Sequence, residues 1–308
     1  MVTTEEGWHT VEDGTKLYTK TWKTDGPAKA RLVFIHGFSD HCNTYHDFFP
    51  TLASRGIEVY AFDQRGWGRS VKIPKDKGNT GPTSRVLSDI TSFLKTVIPC
   101  SVPLFMMGHS MGGGETLLYA AQGPVDIRKH IRGYLLESPF IDFDPASKPS
   151  PIIVFFGRIA GKLMPHHQMV NKLDIKLVSR DPAVQDELFN DDLCHDTGTL
   201  EGLAGLLDRT GDISSGKIVI GDTAGEGEVT RMWFGHGTKD GITSFDASKK
   251  FFDGLAVKDK EFKAYEGHFH RLHDEPKPEN QGFMDDVADW ILARSVEPVA
   301  SDGSKPKL

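Results

Sequence analysis

Short apolar runs separated by helix-length stretches set the rhythm of the chain. RLVFIHGF (31–38), IEVYAFD (57–63), VPLFMMG (102–108), IRGYLLES (131–138), VTRMWFGHG (229–237) and EFKAYEG (261–267) are rich in apolar residues, as strands covered on both faces must be. Between them, residues 83–97, 113–122, 245–255 and 281–294 repeat apolar side chains at helical spacing. Strands alternating with helices predict an α/β fold with a mostly parallel central sheet flanked by helices. Near the N-terminus, WHTVEDG and KLYTKTW alternate apolar and polar residues around EDGT, which predicts an antiparallel hairpin.

The rhythm fails from about 145 to 225. There PIIVFFGRIAGKLMP gives way to polar stretches and then to GDTAGEGE, and the strand pattern resumes only at Val229. The segment reads as an insertion between two strands, dividing the chain into a core of 1–144 and 226–295 and an inserted piece of 145–225. The last residues, 296–308, are rich in Pro, Ser and Lys and are expected to be a disordered tail.

Composition narrows the function. The net charge of −7 and the lack of any Lys/Arg run exclude a nucleic-acid binder. Three widely spaced cysteines, Cys42, Cys100 and Cys194, make neither a disulfide framework nor a CxxC metal site and fit a reducing, intracellular compartment. The start MVTTEEGWHT lacks the cationic and apolar parts of a signal peptide, and no stretch approaches the roughly 20 apolar residues of a membrane span.

The most informative stretch is MMGHSMGGG (106–114), in which an apolar strand runs into GxSxG and then into the helix-forming ETLLYAA. A sharp strand-to-helix turn needs glycine two residues either side of its centre, here Gly108 and Gly112 around Ser110, because side chains there would collide. Such a turn lifts a serine hydroxyl above the sheet edge beside a helix N-terminus, the setting of a nucleophile. Acyl transfer then requires two N–H donors for the developing alkoxide. Met111, directly after the serine, supplies one, and Phe38, after the strand and turn of IHGFSDH (35–41), is the candidate for the other.

A serine nucleophile needs a base, and the base needs a carboxylate, in the chain order Ser, Asp or Glu, His. Asp240 ends the strand VTRMWFGHG with its TKD turn and is preferred to Asp142, which follows IRGYLLES and reads as a turn or cap residue. The last strand feeds into GHFHRLH, so His268, His270 and His273 all qualify as base by position. They also spell HxHxxH, a possible zinc cluster. A metal reading leaves Ser110 without a task, so no metal and no cofactor are expected.

HGFSDH, DQRGWGRS (63–70), GHSMGGG, HGTKD (236–240) and YEGHFHRLHDE (265–275) together resemble the monoacylglycerol lipases of the α/β-hydrolase superfamily, particularly the fungal ones. The resemblance implies the α/β-hydrolase fold with a helical cap insertion, and hydrolysis of monoacylglycerol or a related lipid ester through an acyl-enzyme. It maps the base onto His270 and a second, alcohol-site histidine onto His273, with His268 a bystander. Asp40 stands where the family often has a Glu near the glycerol head group. Phe38 and His268 depart from the small residues usual at their positions, and Phe38 is expected to narrow the acyl passage. In the insertion, Ile153, Phe156, Ile159 or Ala160, and Leu163 share a helical face, which either packs on the core or leans into a membrane or lipid-droplet surface. Cys194 is either a pocket cysteine or an ordinary buried thiol. The expected location is cytoplasmic, with peripheral attachment. The rival activities are those of a lysophospholipase or general carboxylesterase, and the rival class is a noncatalytic hydrolase-fold binding protein.

Overall fold

The computed structural model describes residues 2–296, so the tail expected at 296–308 lies almost wholly outside the described residues. In chain order the elements are β1 (Thr3–Thr10), β2 (Lys16–Lys23), β3 (Ala30–Ile35), α1 (Phe48–Ser54), β4 (Ile57–Phe62), α2 (Thr83–Val97), β5 (Leu104–His109), α3 (Met111–Gln122), α4 (Val125–Arg128) and β6 (Ile131–Glu137). They continue with α5 (Pro151–Leu163), β7 (Gln168–Val170), α6 (Pro182–Asn190), β8 (Thr197–Thr199), α7 (Leu200–Ser214), β9 (Arg231–Gly237), α8 (Phe245–Gly254), β10 (Asp259–Tyr265) and α9 (Glu279–Ala293).

Eight strands form one sheet in the order β1-β2-β4-β3-β5-β6-β9-β10. The β1–β2 hairpin is antiparallel and joins β4 antiparallel, while the pairs from β4 across to β10 are all parallel. After β3 the chain moves outward to β4 and then returns to lay β5 on the other side of β3. That reversal opens a crevice beyond the carboxyl ends of β3 and β5, where the loops leaving them diverge. The loop carrying Phe38 and the turn carrying Ser110 are those two loops.

Each buried strand serves two cores. Along β5, Leu104 and Met106 face the side covered by α2 and α3, whereas Phe105 and Met107 face the side covered by α1 and α9. All four are at most 1% exposed, so the run is continuously apolar rather than alternating. Phe105 meets Trp290 of α9 edge-on at 6.0 Å, and truncating such a side chain to Ala costs about 3–5 kcal/mol. Helix α1 is absent from the sequence reading. Its FFPTLAS is short, but Phe48, Phe49, Leu52 and Ala53 are all buried and Pro50 falls in the first turn, where a missing N–H is harmless.

Between β6 and β9 the chain builds α5, α6, α7 and a two-stranded antiparallel ribbon of β7 and β8. Helix α5 packs against α7, and α7 stands over α3 through an Arg209–Glu115 ion pair of 3.0 Å. Ile159 and Leu163 of α5 point outward, 43% and 77% exposed, while Val154 and Gly157 line a cavity. The Ile153 and Phe156 side chains lie outside the described residues.

Candidate active site

Ser110 sits at φ 53°, ψ −117° between β5 and α3, a conformation that costs on the order of 1–3 kcal/mol and is held by its surroundings. A Cβ on Gly108 would lie 2.1 Å from the Gly112 carbonyl oxygen, and one on Gly112 would lie 2.2 Å from that of Ile35. Only glycine fits either place. The Ser110 amide donates to the Glu137 carbonyl at 3.0 Å, and its own carbonyl accepts from the Gly114 and Phe140 amides. Among the described residues the Ser110 hydroxyl has no hydrogen-bond partner, and it opens, with His270, into the same cavity.

Asp240 and His270 lie at the ends of neighbouring parallel strands, and His270 Nδ1 stands 2.8 Å from Asp240 Oδ2. The other carboxylate oxygen accepts from the Ile242 and Thr243 amides at 2.8 and 3.0 Å. Thr243 Oγ1 and His236 Nε2 approach Oδ2 at 2.7 and 3.1 Å. Burial opposes the charge, but His270 and His236 hold the Asp240 carboxyl well below the usual carboxylate range. An ionised Asp240 places the His270 proton on Nδ1, which leaves Nε2 as a proton acceptor. Thr243 and His236 went unnoticed in the sequence, although both fall within the HGTKDGIT stretch that carries Asp240.

The other candidates are held elsewhere. Asp142 accepts from the Phe143 amide and from Lys148 Nζ. His268 turns to the Glu266 carbonyl and lines neither cavity. The three imidazoles of GHFHRLH therefore face three different partners and do not converge on a point.

Phe38 and Met111 both border the cavity at Ser110. Met111 opens α3, so its amide belongs to the first-turn donors without intrahelical acceptors. The Phe38 amide likewise has no partner among the described residues. Its loop is fixed from behind: His36 Nε2 accepts from the Gln64 amide at 2.8 Å, so the ring proton sits on Nδ1 and is donated to the Gly37 carbonyl at 2.8 Å. Burial holds that imidazole neutral. Gln64 also donates to the His36 carbonyl, and Asp63 accepts from the Cys42 and Arg69 amides. DQRGWGRS is thus the splint of the Phe38 loop, a role its sequence does not announce.

Two further candidates have their polar atoms engaged by buried neighbours. Asp40 reaches the cavity wall, but Oδ1 accepts from the His41 amide and Thr44, and Oδ2 from Tyr45 and Arg271. All four acceptor sites of the carboxylate are occupied, so Asp40 is the buried counter-ion of Arg271 rather than a free acceptor for an alcohol. His273 is 1% exposed and lines neither cavity. Its ring stacks on Tyr45 at 4.6 Å and donates from Nδ1 to Glu137 at 2.6 Å.

Two cavities meet at Ser110, sharing Phe38, Lys172 and Leu173 in their walls. One, of about 470 Å³, is mostly apolar and runs beneath α5 and α7 past Phe143, Val154, Leu203 and Leu207. The other, of about 410 Å³, is more polar and holds Lys77, Asp191, Asp192, His195 and Asp196. Cys194 lies in the polar one, half-buried, with its thiol pushed far up by burial. Together with His41 and Asp191 it brings three possible metal-ligand atoms within 4.8 Å. His41 Nδ1 accepts from the Asn43 amide, so Nε2 carries the proton that bonds Asp191 at 2.8 Å. A metal would have to displace that proton and ionise a resistant thiol, and the donor set fits one poorly.

The comparisons agree with this geometry. A family model described as "Serine aminopeptidase, S33" matches residues 26–277. A putative monoglyceride lipase of Schizosaccharomyces pombe is 37% identical over 91% of this chain and 72% of its own length. The monoacylglycerol lipase of Mycolicibacterium smegmatis is 29% identical over 91% of this chain and 94% of its own. The solved structure of a soluble variant of the Saccharomyces cerevisiae monoglyceride lipase, in complex with a substrate analog, superposes with a TM-score of 0.83 at 25% identity, covering 96% of this chain and 97% of that one. With the sheet order, the strained serine turn and these matches together, the chain belongs to the monoglyceride lipase family of α/β-hydrolases.

Proposed function

We propose that the protein hydrolyses monoacylglycerol to glycerol and a free fatty acid. The observation that carries this reading is the junction at Ser110 of a strongly apolar chamber and a more polar one. An amphiphilic ester with one acyl chain and a small hydroxylated head fits such a junction with its carbonyl over the serine. Ser110 attacks that carbonyl as His270 Nε2 takes the hydroxyl proton, and Asp240 stabilises the imidazolium. The Phe38 and Met111 amides receive the alkoxide, each such donor contributing roughly 10²–10³ in rate. The C–O bond to glycerol breaks as His270 returns the proton to the leaving oxygen. Water, deprotonated by the same imidazole, then cleaves the acyl-serine and releases the acid. No step calls for a cofactor.

Residues 145–225 act as the cap over a core of 1–144 and 226–295. Ile152, Ile159, Leu163 and Met164 project from α5 and its end, with Met169, Val170 and Phe189 exposed elsewhere on the cap. We read this face as the part that leans on a membrane or droplet surface inside the cell. Among the described residues no helix is long and apolar enough to cross a membrane. Three free cysteines suit the reducing interior.

A panel of monoacylglycerol, lysophosphatidylcholine and a short-chain aryl ester tests the substrate. A clear preference for the first is expected. Equal rates on all three would leave only a general esterase, and a preference for the second would make the protein a lysophospholipase.

A further inference from the structure

Glu137 ends β6 and is 0% exposed, yet Asp240, His270 and Ser110 form the site without any contribution from its carboxylate. Its backbone carbonyl accepts the Ser110 amide at 3.0 Å. Its side-chain Oε1 accepts both the backbone N–H of His273 at 3.3 Å and the ring Nδ1–H at 2.6 Å. His273 lies three residues after His270 on the same loop. One residue therefore grips the nucleophile turn with its backbone and the loop carrying the base with its side chain.

The grip is stiff. The His273 ring is fixed on a second side by Tyr45 and Phe48, stacked at 4.6 and 5.7 Å, and its Nε2 faces Asp274 Oδ2 at 3.3 Å. Although burial opposes the charge, Glu137 and Asp274 raise the His273 imidazole above its ordinary value. The pairing of His270 with Asp240 fixes the tilt of the imidazole, but the distance of that ring from Ser110 depends on where the loop backbone sits. A displacement of about 1 Å in a reacting pair can cost on the order of 100-fold in rate.

We infer that Glu137 is a positioning residue, which sets the separation of His270 from Ser110 by tying the histidine loop to the serine turn. The inference rests on Ser110 and His270 as nucleophile and base. Glu137→Ala should lower kcat on a soluble aryl ester, and the rate of fluorophosphonate labelling, by the same factor of about 10–100, with KM little changed. Glu137→Gln keeps a carbonyl acceptor for both His273 donors and should recover most of the loss in both readouts. A folded Glu137→Ala with wild-type kcat and labelling rate, a loss confined to KM, or a Gln variant as impaired as the Ala variant would each overturn the inference. If Glu137→Ala does not fold, His273→Phe retains the stack on Tyr45 but removes the ring donor, and wild-type rates or a loss confined to KM in that variant would likewise overturn the inference. Labelling that persists in Ser110→Ala would instead remove the underlying assignment of the nucleophile.

Discussion

The Phe38 ring stands edge-on to Trp67 with centroids 4.8 Å apart, and from there it borders both chambers that meet at Ser110. In the proposed mechanism the Phe38 backbone amide serves the alkoxide while its side chain narrows the junction, so the two functions separate on mutation. Phe38→Ala should keep the donor and widen the passage. The expected outcome is a relative gain for bulkier acyl groups, by about tenfold in the ratio of kcat/KM values, since a few contacts in an apolar pocket are worth about 1–3 kcal/mol. A series of esters of increasing acyl bulk checks it.

Asp240→Asn should leave the fold intact and lower kcat by about 10⁴, because an amide no longer enforces the Nδ1–H form of His270. Two amides and Thr243 surround that side chain, so KM should change far less. Steady-state kinetics on the purified variant separates the two parameters.

Within GHFHRLH the three histidines should behave unequally. His270→Ala removes the base and should reduce turnover by orders of magnitude, while His268→Ala, which loses peripheral contacts to the Glu266 carbonyl, Glu279 and Tyr265, should be nearly silent. The reverse ranking of kcat would show that the base has been misassigned.

His46 links core and insertion, with Nδ1 and Nε2 each 2.9 Å from Asp274 and Glu187. The hydrogen bond to Asp274 outweighs burial and raises its pKa from 6.5 to about 9. A histidine whose folded pKa lies above its unfolded value stabilises fully below the unfolded pKa and loses that contribution as pH rises through the folded one. The stability difference between wild type and His46→Gln should therefore be largest near pH 6 and fade between about pH 6.5 and 9. Its size should be of the order of 1 kcal/mol, since the site is partly open to solvent. Melting temperatures of both proteins across that range measure it.

What the sequence disclosed follows from what each residue does. The inner strands of the sheet were visible because burial on both faces leaves almost no polar position, as in LFMMG at the start of β5. The serine turn was visible because sterics admit only Gly108 and Gly112. Asp240 was read from its place after β9, whereas position alone left three histidines open after β10 and only the family resemblance pointed to His270. The insertion was less legible, since the apolar residues of α5 divide between a cavity wall and an outer face, and periodicity alone cannot tell these apart. Asp40 and His273 show the other limit. A motif gives their positions, but whether a polar group faces a cavity or a buried partner depends on distant residues: Arg271 for Asp40, and Glu137, 136 positions away, for His273.

The most direct test is the release of fatty acid from monoacylglycerol by purified wild-type protein and by Ser110→Ala, assayed side by side. The account predicts turnover by the wild type and a loss of about 10⁴-fold or more in the variant. Release that survives the loss of the Ser110 hydroxyl, or a wild type with no activity on monoacylglycerol, would contradict it.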